Sequence, residues 1–231
     1  LIKLSLRVYN MTSHRPIFSS NDFYHIFNKS IANQPIFNDI RYLNKIIKIV
    51  NYYRFKQKIK LSKFYLLPNR IQNEYIQEAH EDLPLVEIFS FAFMPNHYHF
   101  LLRQIQDKGV SRFISNIQNS FAKNFNLIND RNGSLFQTGF KSRRIVTDED
   151  FSHISRYIHL NPVTSKIINF KRLLNYPFTS LSWYSNTNLN KFINTEYLLN
   201  HFQNLGNYVE FLKNQVEYQQ KLKEIKDLLI E

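Results

Sequence analysis

Residues 86–104 read VEIFSFAFMPNHYHFLLRQ, and the fold turns on this stretch. VEIFSFAF (86–93) is short, apolar and rich in β-formers, the signature of a buried strand. HYHFLLRQ (97–104) follows after MPN alone, a join too short for a crossover, so the two segments pair antiparallel. The strand period of two sets His97, His99, Leu101 and Arg103 on one face and Tyr98, Phe100 and Leu102 on the other.

Working outward, FYHIFNKS (23–30) reads as a strand. Asn38 and Asp39 then offer caps for a helix with Ile40, Leu43, Ile46, Ile47 and Val50 on one side and Arg41, Lys45, Lys48 and Arg54 elsewhere. Downstream, Val110, Phe113, Ile114, Ile117, Phe121 and Phe125 recur at helical spacing. LFQTGFKSRRIV (135–146) is extended and broken by Gly139. Thr147 with Asp148, Glu149 and Asp150 resembles an N-cap with an acidic first turn, opening a helix through Tyr157. That helix is expected to end near Asn161, because Pro162 disfavours helical geometry in the residue before it. YPFTSLSWY reads as a packed loop, and Val209, Leu212, Val216, Leu222, Ile225 and Leu229 predict a last amphipathic helix. The order strand, helix, two strands, helix, strand, helix gives an α+β fold, an antiparallel sheet covered by helices. The expected division is 1–22 as a leader or N-terminal tail, 23–184 as the main domain and 185–231 as a helical C-terminal extension.

Composition narrows the function. The 231 residues contain no Cys, which excludes a disulfide scaffold, a thiolate metal site and a cysteine nucleophile. Hydrophobic content of 43% excludes a largely disordered chain, and no run of about 18 apolar residues is present to span a membrane. LIKLSLRVYN, ahead of Met11, lacks the features of a signal peptide and is expected to be a leader or a non-ATG start of a soluble cytoplasmic protein. Net charge is +12, concentrated in residues 1–72 (13 Lys/Arg against two acids) and 105–172 (11 against five). Such a surface attracts a polyanion, nucleic acid above all, although a solvated basic surface would carry the same charge.

Two imidazoles at i and i+2 on a rigid strand can reach one divalent cation. As a bare pattern, His97 and His99 fit a hydrogen-bonded pair at a sheet surface slightly better than a metal site. Three strings in one order sharpen the reading: MPNHYHFLL, LFQTGFKS and RYIHLNPV. Together they resemble the single-tyrosine transposases of the HUH endonuclease superfamily, REP-associated tyrosine transposases and their insertion-sequence relatives, over roughly residues 23–183.

The resemblance implies a ferredoxin/RRM-like HUH endonuclease fold and DNA transposition through cleavage and rejoining of single-stranded DNA. It implies Tyr157 as the catalytic nucleophile, giving a 5′-phosphotyrosine, and His97, His99 and Asn161 as ligands of a divalent metal, Mg²⁺ or Mn²⁺. It further implies recognition of DNA hairpins, for which the basic 39–63 region and the 110–130 helix are candidates, by a monomer or a homodimer. Tyr157 and Asn161 are i and i+4 and so share a helix face. His153, one turn before Tyr157, is a substitute ligand, whereas His159 points roughly opposite, as a structural or DNA-facing residue. Lys141, Arg143, Arg144 and Arg156 are candidate DNA contacts, with a solvated cationic rim as the plain alternative. Phe136 and Phe140 suit a buried sheet better than base stacking. A replication initiator or relaxase commonly pairs its tyrosine with a Lys three residues on, where this chain has Leu160. A hairpin-binding protein that no longer cleaves is the other alternative.

Overall fold

The computed structural model describes residues 17–184 and 192–216. In chain order the elements are β1 (Phe23–Lys29), α1 (Ile40–Tyr53), α2 (Leu61–Phe64), α3 (Asn69–Glu81), β2 (Val86–Met94), β3 (His97–Gln104), α4 (Gly109–Ile128), β4 (Lys141–Ile145), α5 (Asp148–Thr164), α6 (Leu181–Tyr184), α7 (Glu196–Phe202) and α8 (Leu205–Lys213). Short 3₁₀ turns lie at Ile31–Asn33 and Phe170–Asn175. The four strands form one antiparallel sheet in the order β2-β3-β1-β4, the strand order of a ferredoxin-like α+β fold. No helix among the described residues is long and apolar enough to cross a membrane.

Register decides which side chains meet. Across β1 and β3, Lys29 lies opposite His97, Phe27 opposite His99, His25 opposite Leu101 and Phe23 opposite Arg103. Across β1 and β4, Lys141 lies opposite Phe27, Arg143 opposite His25 and Ile145 opposite Phe23. Directly opposed residues share a sheet face, so three strands contribute to the face that carries His97 and His99. α5 covers this face, with Phe151 packed on Phe23 and Phe89 at ring distances of 5.3 and 5.2 Å. α4 covers the other, where Gln118 donates to the Tyr98 hydroxyl at 2.7 Å and Phe113 meets Phe100. The expected stripe on α4 is buried throughout: Val110, Phe113, Ile114, Ile117, Phe121 and Phe125 are each at most 3% exposed. At roughly 1.5–3 kcal/mol per large apolar side chain, that one face contributes on the order of 10 kcal/mol before entropy. α1 packs beside α4, its Tyr42 ring against Phe121 and Phe125, and Asp39 caps it by accepting from the Arg41 amide at 2.7 Å.

The outer edge of β2 is closed by the segment that follows α5. The Phe93 amide donates to the Phe178 carbonyl, the Ser180 amide to Phe91 and the Asn194 amide to Ile88. An edge so covered offers no template for pairing with another chain. The stretch expected as a packed loop does pack here, but its last four residues wind into α6.

Four expectations change. α5 runs past Asn161 and through Pro162 to Thr164. So close to a helix end, proline removes only its own donor. Ser165 N still reaches Asn161 O at 2.9 Å, Ile167 N reaches Pro162 O at 2.9 Å, and Lys166 closes the turn with φ +56°. Residues 56–85, without a periodic signal, contain α2 and α3; α3 buries no residue, which is why no apolar stripe announced it. The extended segment 135–146 is a strand only at Lys141–Ile145, since Gly139 sits at φ +75° just before it. Of the last amphipathic helix, Val209 and Leu212 lie in α8, which starts earlier, at Leu205, and ends at Lys213, before Val216; α7, ahead of it, carried no expectation, and Leu222, Ile225 and Leu229 lie outside the described residues, as do residues 1–16.

Candidate active site

The turn before β3 fixes where the first histidine begins. Ile36 N and Phe37 N both donate to the Pro95 carbonyl, at 2.6 and 3.0 Å, and Ser30 N donates to the Asn96 carbonyl at 2.8 Å. The Asn96 side-chain oxygen, an acceptor only, lies 2.7 Å from His97 Nδ1, so that nitrogen carries the proton. His97 is half-buried at the mouth of the site and His99 is buried at 4% exposure, their rings 5.1 Å apart and nearly perpendicular.

A third histidine joins them. His25 of β1, 6% exposed, places Nε2 2.9 Å from His99 Nδ1, and the two rings stack at 5.1 Å. The sequence reading placed the strand but gave this residue no role. The signal was available only through strand pairing, because β1 must lie beside β3 before His25 and His99 become neighbours. His99 Nε2 is buried and has no hydrogen-bond partner. Burial pulls the His25 pKa down to about 3, with the Arg143 charge adding to it. Burial also holds His99 well below its ordinary value, helped by the charges of His25, His97 and Lys29. Both imidazoles are therefore neutral at neutral pH, the state a metal ligand requires.

α5 delivers the tyrosine. Thr147 caps it by accepting from Asp150 N at 3.1 Å, and Phe151 seats its first turn in the Phe23–Phe89–Tyr197 cluster. Further along, Arg156 (6% exposed) and Ile158 (0%) are buried on either side of Tyr157, which stays 41% exposed. The Tyr157 ring stands edge-on to both buried imidazoles, 5.5 Å from His99 and 5.8 Å from His25. Although the residue is partly open, surrounding protein raises the phenol pKa by desolvation, and a hydrogen bond from the Asn161 side chain opposes that rise. The ground-state phenol is thus protonated and needs activation. Asn161 is 5% exposed, with its Nδ2 at a long 3.5 Å from the Tyr157 carbonyl.

The other candidates separate by location. Lys141 and Arg143 share the histidine face at the open edge of the sheet, whereas Arg144 sits opposite Tyr24 on the reverse face, paired with Asp22 at 2.8 Å. Lys29, opposite His97, extends the cationic flank and had no role assigned from sequence. Arg156 is not a surface cation: its guanidinium lies 4.2 Å from the Phe211 ring centre, between α5 and α8. His153 faces Glu149, Arg156 and Phe211, on the flank of α5 away from the other histidines. His159 is fully buried, Nδ1 2.7 Å from the Tyr208 hydroxyl and Nε2 2.8 Å from Ser180 Oγ, so of its two expected roles the structural one holds. Phe136 is buried at 8%, in line with a sheet role. Residues 192–216, expected within an extension, thus buttress the helix that carries Tyr157.

No group of three or more His, Cys, Asp or Glu side chains suited to a metal occurs among the described residues. What is on offer is the imidazoles of His97 and His99, the latter with a buried and unpartnered nitrogen, near an amide and a phenol. This set fits a cation that keeps open positions for water and phosphate oxygen.

No curated protein sequence matches the chain. Among solved structures, it is similar to a REP-associated tyrosine transposase bound to a REP hairpin, with 15% identity, a TM-score of 0.49, and 81% of this chain and 93% of that one covered. It is also similar to a Deinococcus radiodurans protein described as a transposase (14%, 0.35, 64% and 95%) and to the Saccharomyces cerevisiae tRNA(His) guanylyltransferase (12%, 0.30, 80% and 79%). Residues 68–161, about two-fifths of the chain, match the family model of IS200-like transposases. The matched span contains His97, His99, Tyr157 and Asn161 within one stretch that this fold brings together, and over that stretch the chain is similar to IS200-like transposases.

Proposed function

We propose that the protein cleaves and rejoins single-stranded DNA at this site, with Tyr157 as nucleophile. The observation that carries the proposal is the Tyr157 ring standing against His99, whose buried Nε2 has no partner in the protein. Tyr157 Oη attacks a scissile phosphorus, forming the Tyr–O–P bond while the P–O3′ bond breaks. The phenol proton goes to solvent, and the departing 3′-oxygen takes up a proton as it becomes a free hydroxyl. In the second step a 3′-hydroxyl attacks the phosphotyrosine, forming P–O3′ and returning the phenol. Ester energy is conserved throughout, so neither ATP nor a hydrolytic water enters. His97, His99 and Asn161 would hold Mg²⁺ or Mn²⁺, which supplies charge stabilisation for the phosphate oxygens and the leaving group. Asn161, one turn on from Tyr157, acts against the rise in phenol pKa that burial imposes.

Lys29, Lys141 and Arg143 flank the histidine face, and they would guide the strand past Tyr157 through phosphate contacts. Hairpin recognition is proposed for the basic 39–63 region and helix α4, which are neighbours in the fold. A cleft there is lined by Arg41, Tyr42, Lys45, Asn124 and Ile128. The test uses labelled single strands tiled from the flanks of the gene, incubated with Mg²⁺ or Mn²⁺ and run on a denaturing gel. The expected result is an SDS-resistant protein–DNA adduct that disappears with EDTA and with Tyr157→Phe. Hairpin binding without any adduct would favour the non-cleaving binder, and an adduct surviving Tyr157→Phe would reject this tyrosine.

A further inference from the structure

We infer that His25 is a positioning residue for His99, holding its proton on Nδ1 and so keeping Nε2 bare for a cation; this rests on the metal site of the proposed function. The 2.9 Å contact between His25 Nε2 and His99 Nδ1 contains one proton, which sits on one ring or the other. If His25 were the donor, neutral His99 would carry its own proton on Nε2. That N–H would be buried with no acceptor, an unmade hydrogen bond that burial makes costly, and could bind no metal. With His99 as donor, Nδ1–H is satisfied by His25 and the lone pair of Nε2 faces the site. A buried N–H without a partner is the rarer defect in folded proteins, and the ligand-competent arrangement avoids it.

The geometry is over-determined in the same sense. The His25 and His99 rings stack at 5.1 Å with 22° between their planes, and Phe27 stacks on both at 5.0 and 5.6 Å. His99 can therefore neither swing nor flip without losing two ring contacts and its hydrogen bond. Asn96 gives His97 the matching service from the turn, accepting from Nδ1. Each imidazole thus has its outward nitrogen set by an acceptor behind it, as ligating histidines usually do. One acceptor comes from strand β1 and the other from the turn before β3, and neither is a proposed ligand.

The test uses the full chain in three forms: wild type, His25→Phe, which keeps a stacking ring without a nitrogen, and His25→Gln, which keeps a polar partner. Imidazole ¹H–¹⁵N spectra without metal, with His99 assigned by its loss in His99→Gln, report the tautomer directly. Mn²⁺ affinity is read by EPR of the free ion. The expected wild-type spectrum has His99 protonated on Nδ1 alone. His25→Phe mixes the tautomers and weakens Mn²⁺ binding about 10- to 100-fold, whereas His25→Gln recovers most of both. A wild-type His99 protonated on Nε2, or a folded His25→Phe protein with unchanged tautomer and Mn²⁺ affinity within twofold, overturns the inference. Wild type that binds no Mn²⁺ refutes the metal reading itself, while the metal-free spectrum still decides the role of His25.

Discussion

The sorting of β4 side chains between sheet faces predicts which cations a DNA strand meets. Lys141 and Arg143 lie on the face of His97 and His99, whereas Arg144, next in sequence, is turned to the reverse face and paired with Asp22. Each phosphate neutralised on a single strand contributes a slope of about 0.7 in log affinity against log salt. At 0.1 M salt one such contact is worth about 0.7 log units, or roughly fivefold and ~1 kcal/mol. Lys141 makes no ion pair among the described residues, so Lys141→Gln is expected to show the full effect: fivefold weaker binding and a slope smaller by about 0.7. Arg143 holds Asp150 at 2.9 Å with half of its side chain exposed. Releasing an exposed pair of this kind costs about 0.2–1 kcal/mol, which leaves Arg143→Gln an effect of at most about fourfold, smaller than that of Lys141→Gln. Arg144→Gln is expected to change affinity by less than about 1.5-fold, since its charge lies behind the sheet.

The assay is fluorescence anisotropy with a labelled oligo-dT, which cannot form a hairpin, in a Tyr157→Phe background from 50 to 200 mM salt. Over that range a slope change of 0.7 alters relative affinity by about 2.6-fold, well above anisotropy error. If Arg144→Gln flattens the slope as much as Lys141→Gln, the strand does not follow the histidine face and the proposed path is wrong.

Three further outcomes test the scaffold around the site. A Cβ added at Gly109 would lie 2.2 Å from the Leu85 carbonyl oxygen, which accepts from Ile105 and Gln106 and cannot yield alone. Gly109→Ala is expected to lower stability by about 2–4 kcal/mol in urea titration despite the better helix propensity of Ala, and an unchanged midpoint would contradict the close approach. Tyr208→Phe removes a hydroxyl that meets both His159 and Ser155 in a fully buried setting. A loss of about 1–3 kcal/mol is expected, with α8 exchanging its amides faster, and stability within 0.3 kcal/mol of wild type would show the network to be dispensable. Tyr157→Phe, which deletes a hydroxyl from a half-open side chain, should leave the unfolding midpoint within about 0.5 kcal/mol of wild type while abolishing adduct formation. A large destabilisation would mean that the phenol is structural.

How much of this was legible in the sequence follows from whether each signal was local. VEIFSFAFMPNHYHFLLRQ carried its own pairing in a three-residue join, and α4 carried its buried face in six apolar residues at helical spacing. The shared face of His97 and His99, and the one-turn separation of Tyr157 and Asn161, are likewise properties of a single element. α3 was invisible because none of its side chains is fully buried, and the end of α5 was misplaced because a local proline preference yielded to a closing turn held by Ser165, Lys166 and Ile167. His25, Lys29 and the split between Arg143 and Arg144 depend instead on which strand lies beside which and in what register. Shifting β1 by one residue against β3 would turn His25 and Lys29 to the α4 side and bring Tyr24 and Asn28 to the histidines. Sequence alone therefore names the groups proposed to do chemistry, while the pairing of β1 supplies His25, the group inferred to orient His99.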